Sequence, residues 1–185
     1  MADANATRTR ADLIGHQAGI VTRTTAVIAG EQPIDVAAHF VGTPQARVTL
    51  ALGFLAMTFT SAAAAQKVLE AFAAARGALM GVDNLAPLPA QEGAQFAQST
   101  IALTWIDAPT YAIVRGNRYS ESQRRTVHWA DVHMGPVTWR IIDHVGYNSL
   151  IEALRMAHKT AVVAFPDGPK FRKDPTKVDA FTNQQ

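Results

Sequence analysis

Cysteine is absent from this chain of 185 residues. Disulfides, thiolate nucleophiles and Cys-ligated zinc or iron–sulfur sites are therefore excluded. Long hydrophobic runs are lacking as well. The longest, residues 50–57 with Gly53 inside it, is far shorter than the ~20 residues a membrane-spanning helix needs. Arg8 and Arg10 have no apolar run behind them, so no secretory signal is expected. Charge of one sign is scarce: the net charge is +2, and from position 81 onward 11 Lys/Arg face 10 Asp/Glu. A sequence pI of about 9.2 thus reflects no broad basic field, and any electrostatic argument must rest on local clusters. Glycine motifs for phosphates are missing too. Gly77-Ala78-Leu79-Met80-Gly81 is not a phosphate loop, and neither G-x-G-x-x-G nor G-K-[ST] occurs. Dinucleotide-linked redox chemistry and P-loop hydrolysis are disfavoured accordingly.

What is present is a globular composition, 48% hydrophobic and 17% charged. A soluble, cytoplasmic protein with no membrane partner and no cofactor is the expectation. Residues 1–10 read as a flexible polar tail, 11–84 as a first sheet-plus-helix half, and 85–99 as a connector. Residues 100–165 read as a second half and 166–185 as an extended basic tail. Within the first half, 20–28, 34–41 and 47–58 are strand-like, the last bulged at Gly53. Thr60 or Ser61 can cap a helix from Ala62 to Ala75 or Leu79; 11–19 is a candidate short helix or arm. Pro87 and Pro89 break regular structure in the connector. Four further strand-like runs follow, 100–106, 111–115, 125–133 and 137–142. Ser149 and Glu152 spell an S-x-x-E capping box opening a helix to about Lys159, and 161–165 is a candidate final strand.

A helix pattern recurs 82 positions apart. Val68-Leu69-Glu70-Ala71-Phe72-Ala73-Ala74-Ala75-Arg76 aligns with Leu150-Ile151-Glu152-Ala153-Leu154-Arg155-Met156-Ala157-His158. Each copy carries an apolar stripe that must be buried. The expected fold is α+β, an antiparallel sheet with helices packed on one face, in two repeated sheet-plus-helix halves. In element order this resembles the Whirly and PUR-repeat proteins over about residues 20–165. That resemblance implies single-stranded nucleic acid on an open sheet face. No family motif matches residue by residue, and the first half offers three strand candidates where the layout has four.

Alternation in the second half singles out candidate contacts. Ala130, Val132 and Met134 point inward, leaving Trp129, Asp131 and His133 outward. Trp129 near Arg140, with Tyr111 and Arg115 alongside, combines a stacking surface with phosphate-pairing cations. Arg115, Arg118, Arg124 and Arg125 crowd one hairpin around Tyr119. The nucleic-acid-binding candidates are therefore Arg115, Arg118, Arg124, Arg125, Trp129 and Arg140. The other reading of the same residues is a solvated loop whose arginines lie along ordinary core aromatics.

His128, Asp131, His133, Asp143 and His144 lie close in sequence, but His128 and His133 point to opposite faces of a strand. No H-E-x-x-H or other closed ligand set occurs, so no metal is expected. Three functions remain open: a non-catalytic binding or regulatory module for single-stranded nucleic acid, a homodimeric protein–protein module, and a small-molecule enzyme using His133, Asp131 or His144. An arginine-lined open sheet favours the first, a continuous apolar patch the second, and a closed pocket with convergent His and Asp the third.

Overall fold

The structure, a computed structural model, describes residues 23–87 and 100–177. The expected tail 1–10, the candidate arm 11–19, most of the connector and the last eight residues lie outside those ranges. Among the described residues, eight strands and two α-helices follow in the order β1 (Thr24–Ile28), β2 (Ile34–His39), β3 (Arg47–Leu52), β4 (Leu55–Phe59), α1 (Ala62–Ala74), β5 (Ile101–Trp105), β6 (Tyr111–Ser120), β7 (Arg125–Met134), β8 (Val137–Ile141) and α2 (His144–Ala164). The class is α+β, as the sequence indicates.

The sheets are not purely antiparallel. They are two mixed four-stranded sheets, ordered β1-β8-β7-β6 and β2-β3-β4-β5. Each joins a hairpin-linked antiparallel meander to one strand from elsewhere in the chain: β1 lies parallel to β8, and β5 lies parallel to β4. The expectation of a single antiparallel sheet fails because β1 and β5 do not fold back on the strands that follow them. Matching backbone bonds fix both crossings. Thr24 N–H donates to the Pro136 carbonyl and Ile142 N–H to that of Ile28; Ile101 N–H donates to Phe54 and Thr60 N–H to Trp105.

Residues 47–58 form two strands, not one bulged strand. Gly53 has φ of +56°, a left-handed conformation that glycine tolerates, and it turns β3 into β4. Gly135, at φ +58°, does the same between β7 and β8. Inward residues of both sheets and the apolar stripes of both helices share one core, with Val48, Leu50, Phe59, Phe72 and Trp139 almost wholly enclosed. Phe72 of α1 meets Trp139 of β8 edge to face, ring centres 5.7 Å apart.

Ser61 caps α1, its hydroxyl accepting from Ala64 N–H at 3.1 Å. The start of α2 departs from the expected Ser149–Glu152 box. Asp143 is the cap, and Ser149 lies inside the helix, its hydroxyl accepting from Gln32 N–H at 3.0 Å. Val145 and Gly146 weaken the helix signal of that first turn. Tertiary bonds hold it in place instead: His144 N–H donates to the Asp83 carbonyl and Val145 N–H to Asn84. At its other end α2 runs through 161–164, so the candidate last strand there is helix; its side chains at Ala161 and Ala164 complete the buried stripe.

The segment after α2 is folded rather than extended. Asp167 accepts from Ala62 and Ala63 N–H, each at 3.1 Å, at the start of α1. The Phe171 carbonyl meets His158 Nε2 at 2.7 Å, and the Gln66 side chain donates to the Lys173 carbonyl.

Asp143 carries the most weight in this arrangement. It is 0% exposed, and its carboxylate accepts N–H bonds from Gly30 at 2.9 Å, Ala86 at 3.0 Å and Gly146 at 2.7 Å. Asp143→Ala leaves those donors unpaired and is expected to cost roughly 3 kcal/mol, with Asp143→Asn costing less because one acceptor oxygen remains. Urea unfolding at neutral pH measures both; a loss below about 1 kcal/mol for the alanine variant contradicts this role.

Candidate nucleic-acid interface

The β6–β7 hairpin is the longest among the described residues, with ten residues in each strand. Strand β8 pairs β7 only between Ala130 and Met134, so Arg125 to Trp129 are paired along one side by β6 alone. The hairpin turns at Arg124, whose φ of +50° is unusual for a side chain this large. Ser120 Oγ accepts from Gln123 N–H at 3.4 Å and steadies the turn.

Register assigns every candidate to a face. Ala130, Val132 and Met134 are buried, as alternation implies, and His133 is exposed on the other side. The outer face carries a row Val27, Arg140, Asp131, Val114, and beside it Trp129 opposite Gly116 and Val127 opposite Arg118. Arg115 pairs with inward Ala130 and therefore lies on the opposite face from Trp129 and Arg140. Tyr111 does likewise. Neither stands alongside Trp129: Arg115 donates to the Met80 carbonyl at 2.9 Å, and the Tyr111 hydroxyl donates to Glu70 at 3.1 Å.

Trp129 and Arg140 do come together, through Asp131. Arg140 grips that carboxylate with two bonds of 2.8 Å, from Nε and Nη2. Trp129 Nε1 donates to it at 3.1 Å, and the Arg140 guanidinium stands 4.7 Å from the indole centre. The indole also lies against Gly116. A Cβ built there would be 2.2 Å from Trp129 Cε2, so only glycine admits the ring. Trp129 is thus clamped on the sheet between glycine and a guanidinium rather than standing free.

The other arginines differ in how far their charge is compensated. Arg125 is paired with Asp83, Nη1 to Oδ1 at 2.6 Å. This hydrogen bond holds the Asp83 carboxyl below its ordinary range, although the pair is open to solvent. The guanidinium groups of Arg118 and Arg124 make no hydrogen bond or ion pair with any described residue. Arg118, Gln123, Trp129 and Arg140 line a cleft of about 200 Å³ whose far side is formed by Ala86 and Pro87.

The histidines stay apart. His133 Nδ1 and Thr138 Oγ1 are 3.0 Å apart on the outer face, while His128 packs toward Gly81 on the inner one. Among the described residues no three His, Asp or Glu side chains gather where a metal could sit. Both Asp131 oxygens are engaged, and the Tyr147 hydroxyl donates to the Phe72 carbonyl. Asp83 and His128 do share the lining of the cleft beside Trp129, and the Asp83 carboxylate is paired there with Arg125.

The sequence reading set Asp131 outward without pairing it with Arg140, and it missed Gly116 and Gln123. Asp131 and Gly116 each had a usable signal. A two-residue turn at Gly135-Pro136 sets the β7–β8 register and puts Asp131 opposite Arg140. A glycine within a strand likewise suggests a close approach, here by Trp129.

Burial pushes the Asp131 carboxyl up, but hydrogen bonds from Arg140 and Trp129, with the charges of Arg140 and His133, outweigh it and hold the group below the ordinary carboxylate range. A depressed folded-state pKa means that the stability from ionised Asp131 is full above its unfolded value and is lost as pH falls through the folded one. Asp131→Asn should therefore lower stability at neutral pH and flatten the acid limb of the stability–pH curve. Denaturant melts between pH 2 and 7 read this directly; an acid limb identical to that of the parent protein contradicts it.

Comparison of the chain with protein-family models, curated proteins and solved structures finds no match. The likeness to the Whirly and PUR-repeat layouts therefore stands on element order alone.

Proposed function

We propose that this protein is a non-catalytic binding module that holds single-stranded nucleic acid along the outer face of the β1-β8-β7-β6 sheet and its protruding hairpin. One observation carries the reading: the Arg118 and Arg124 side chains have no partner among the described residues, on the hairpin that also bears Trp129, next to Arg140. Between positions 115 and 125 four arginines face one acidic residue, Glu121. A phosphate backbone supplies the missing charge, and the aromatic–guanidinium pair supplies a surface for bases. No described helix is long and apolar enough to cross a membrane.

We also infer that the two halves are repeats that exchange their first strands. The supporting correspondences lie 82 positions apart: Gly53 and Gly135 at left-handed turns, and the caps Ser61 and Asp143. The paired crossings of β1 and β5 follow the same plan.

A second reading, self-association as a homodimer, is favoured by the outer face of the other sheet. Ala37, Thr49, Thr58 and Thr104 align in one row across it, and Ala51, Ala56 and Ala102 in the next, which ends in Asp35 on β2. Such a flat face of small side chains can pack on a second copy. Sedimentation velocity tests it: a dimer that Thr58→Arg dissociates supports the reading, and a monomer at all concentrations rejects it.

The nucleic-acid reading predicts a specific division among the arginines. Arg118→Ala with Arg124→Ala should weaken single-strand binding for every sequence tested. The slope of log affinity against log salt should also fall by about 0.7 for each phosphate that no longer meets an arginine. Arg125→Ala should do less, because its charge is already met by Asp83. Anisotropy titrations over a salt series measure this; folded protein that binds no single-stranded DNA or RNA at low salt rejects the function.

A further inference from the structure

We infer that the cleft beside the turn-proximal half of the β6–β7 hairpin is a receptor for one unstacked nucleobase, so that the strand is held by a single inserted base rather than by a row of bases stacked across the sheet. This rests on the nucleic-acid reading and names the ligand group that the site takes. Three observations lead to it.

The first is that Trp129 offers no open stacking row. Gly116 lies against the indole and Arg140 stands 4.7 Å from its centre, so the flat surface of the outer face is already occupied where bases would line up. Of the other outer positions nearby, Val27, Val114 and Val127 are aliphatic and Arg118 is cationic. The second is the size and lining of the cleft. At about 200 Å³ it falls below the roughly 300–1,000 Å³ of sites for drug-sized ligands, which leaves room for one ring system and not for a dinucleotide. The Trp129–Arg140 pair, Pro87 and Val127 are among its walls, together with His128 and the Arg125-paired Asp83. Extruded bases are held in this way, between aromatic or apolar side chains with polar groups at their edges. The third is that polar side chains at the cleft, two of them at the hairpin turn and beside it, make no hydrogen bond among the described residues. Neither the Arg118 guanidinium nor the Gln123 amide has a partner among the described residues. An amide supplies both donor and acceptor for a base edge, and the Arg118 guanidinium supplies a cation for the adjoining phosphate.

The walls are fixed rather than improvised on binding. Ala86 is tied by its N–H to buried Asp143, and Asp131 holds both Trp129 and Arg140. The cleft is therefore preorganised, which lowers the cost of ordering it around a ligand.

The test uses the full chain at low salt and labelled oligonucleotides of equal length and phosphate count. One is all-thymidine, one is abasic throughout, and four are abasic except for a single central base of each kind. At least one single-base oligonucleotide should bind on the order of tenfold more tightly than the abasic strand and within about threefold of the all-thymidine strand. Gln123→Ala should remove most of that gain. Affinity that climbs with every added base, or a gain that survives Gln123→Ala, overturns the single-base cleft. Equal binding of all the strands also overturns it while leaving the phosphate-based reading intact. Binding of none of them overturns both.

Discussion

Asp143 is the interaction on which the rest of the structure depends. Its carboxylate gathers N–H groups from the end of β1, the connector after α1 and the first turn of α2. Those three segments are distant in sequence, and each carries backbone donors that burial would otherwise leave unpaired. By holding Gly30, Asp143 fixes the point at which β1 leaves its parallel pairing with β8. By holding Ala86, it positions one wall of the cleft beside Trp129. A single buried acceptor thus connects the topology of the fold to the geometry of the candidate site.

The charged residues of that site divide by what they touch. Arg140 and Arg125 are engaged with Asp131 and Asp83, and Arg115 with a backbone carbonyl on the opposite face. Their first role is to hold β7 and the hairpin root in shape. Arg118 and Arg124 have no such engagement among the described residues. An arginine cluster that looks uniform in sequence is therefore two sets, one mainly structural and one free to meet a ligand. On the proposed reading the first set presents the second.

The sequence carried the strands well where apolar and polar residues alternate, as in β7 and β8. Both turn glycines were visible too, but Gly53 reads equally well as a bulge until its φ is known. The capping box misled because Ser149 and Glu152 satisfy a local rule while Asp143 satisfies a tertiary one, drawing partners from residues 113 and 57 positions away. Parallel pairing of β1 with β8 was invisible for the same reason: no short-range pattern marks a strand that crosses to a distant sheet. For the site, alternation correctly set Trp129 and Asp131 outward with Arg140. It also had the information to place Arg115 on the other face, since Arg115 and Trp129 fall on opposite parity across the hairpin. The cleft itself was not legible, because its wall comes from the connector.

The central claim is that ligand meets the outer face of one sheet and not the other. Amide hydrogen exchange of the full chain, with and without a saturating single-stranded oligonucleotide, tests this most directly. The account predicts added protection concentrated in residues 116–129 and 138–142. Protection confined to β2, β3 and β4, or no change at all in the presence of ligand, would contradict it.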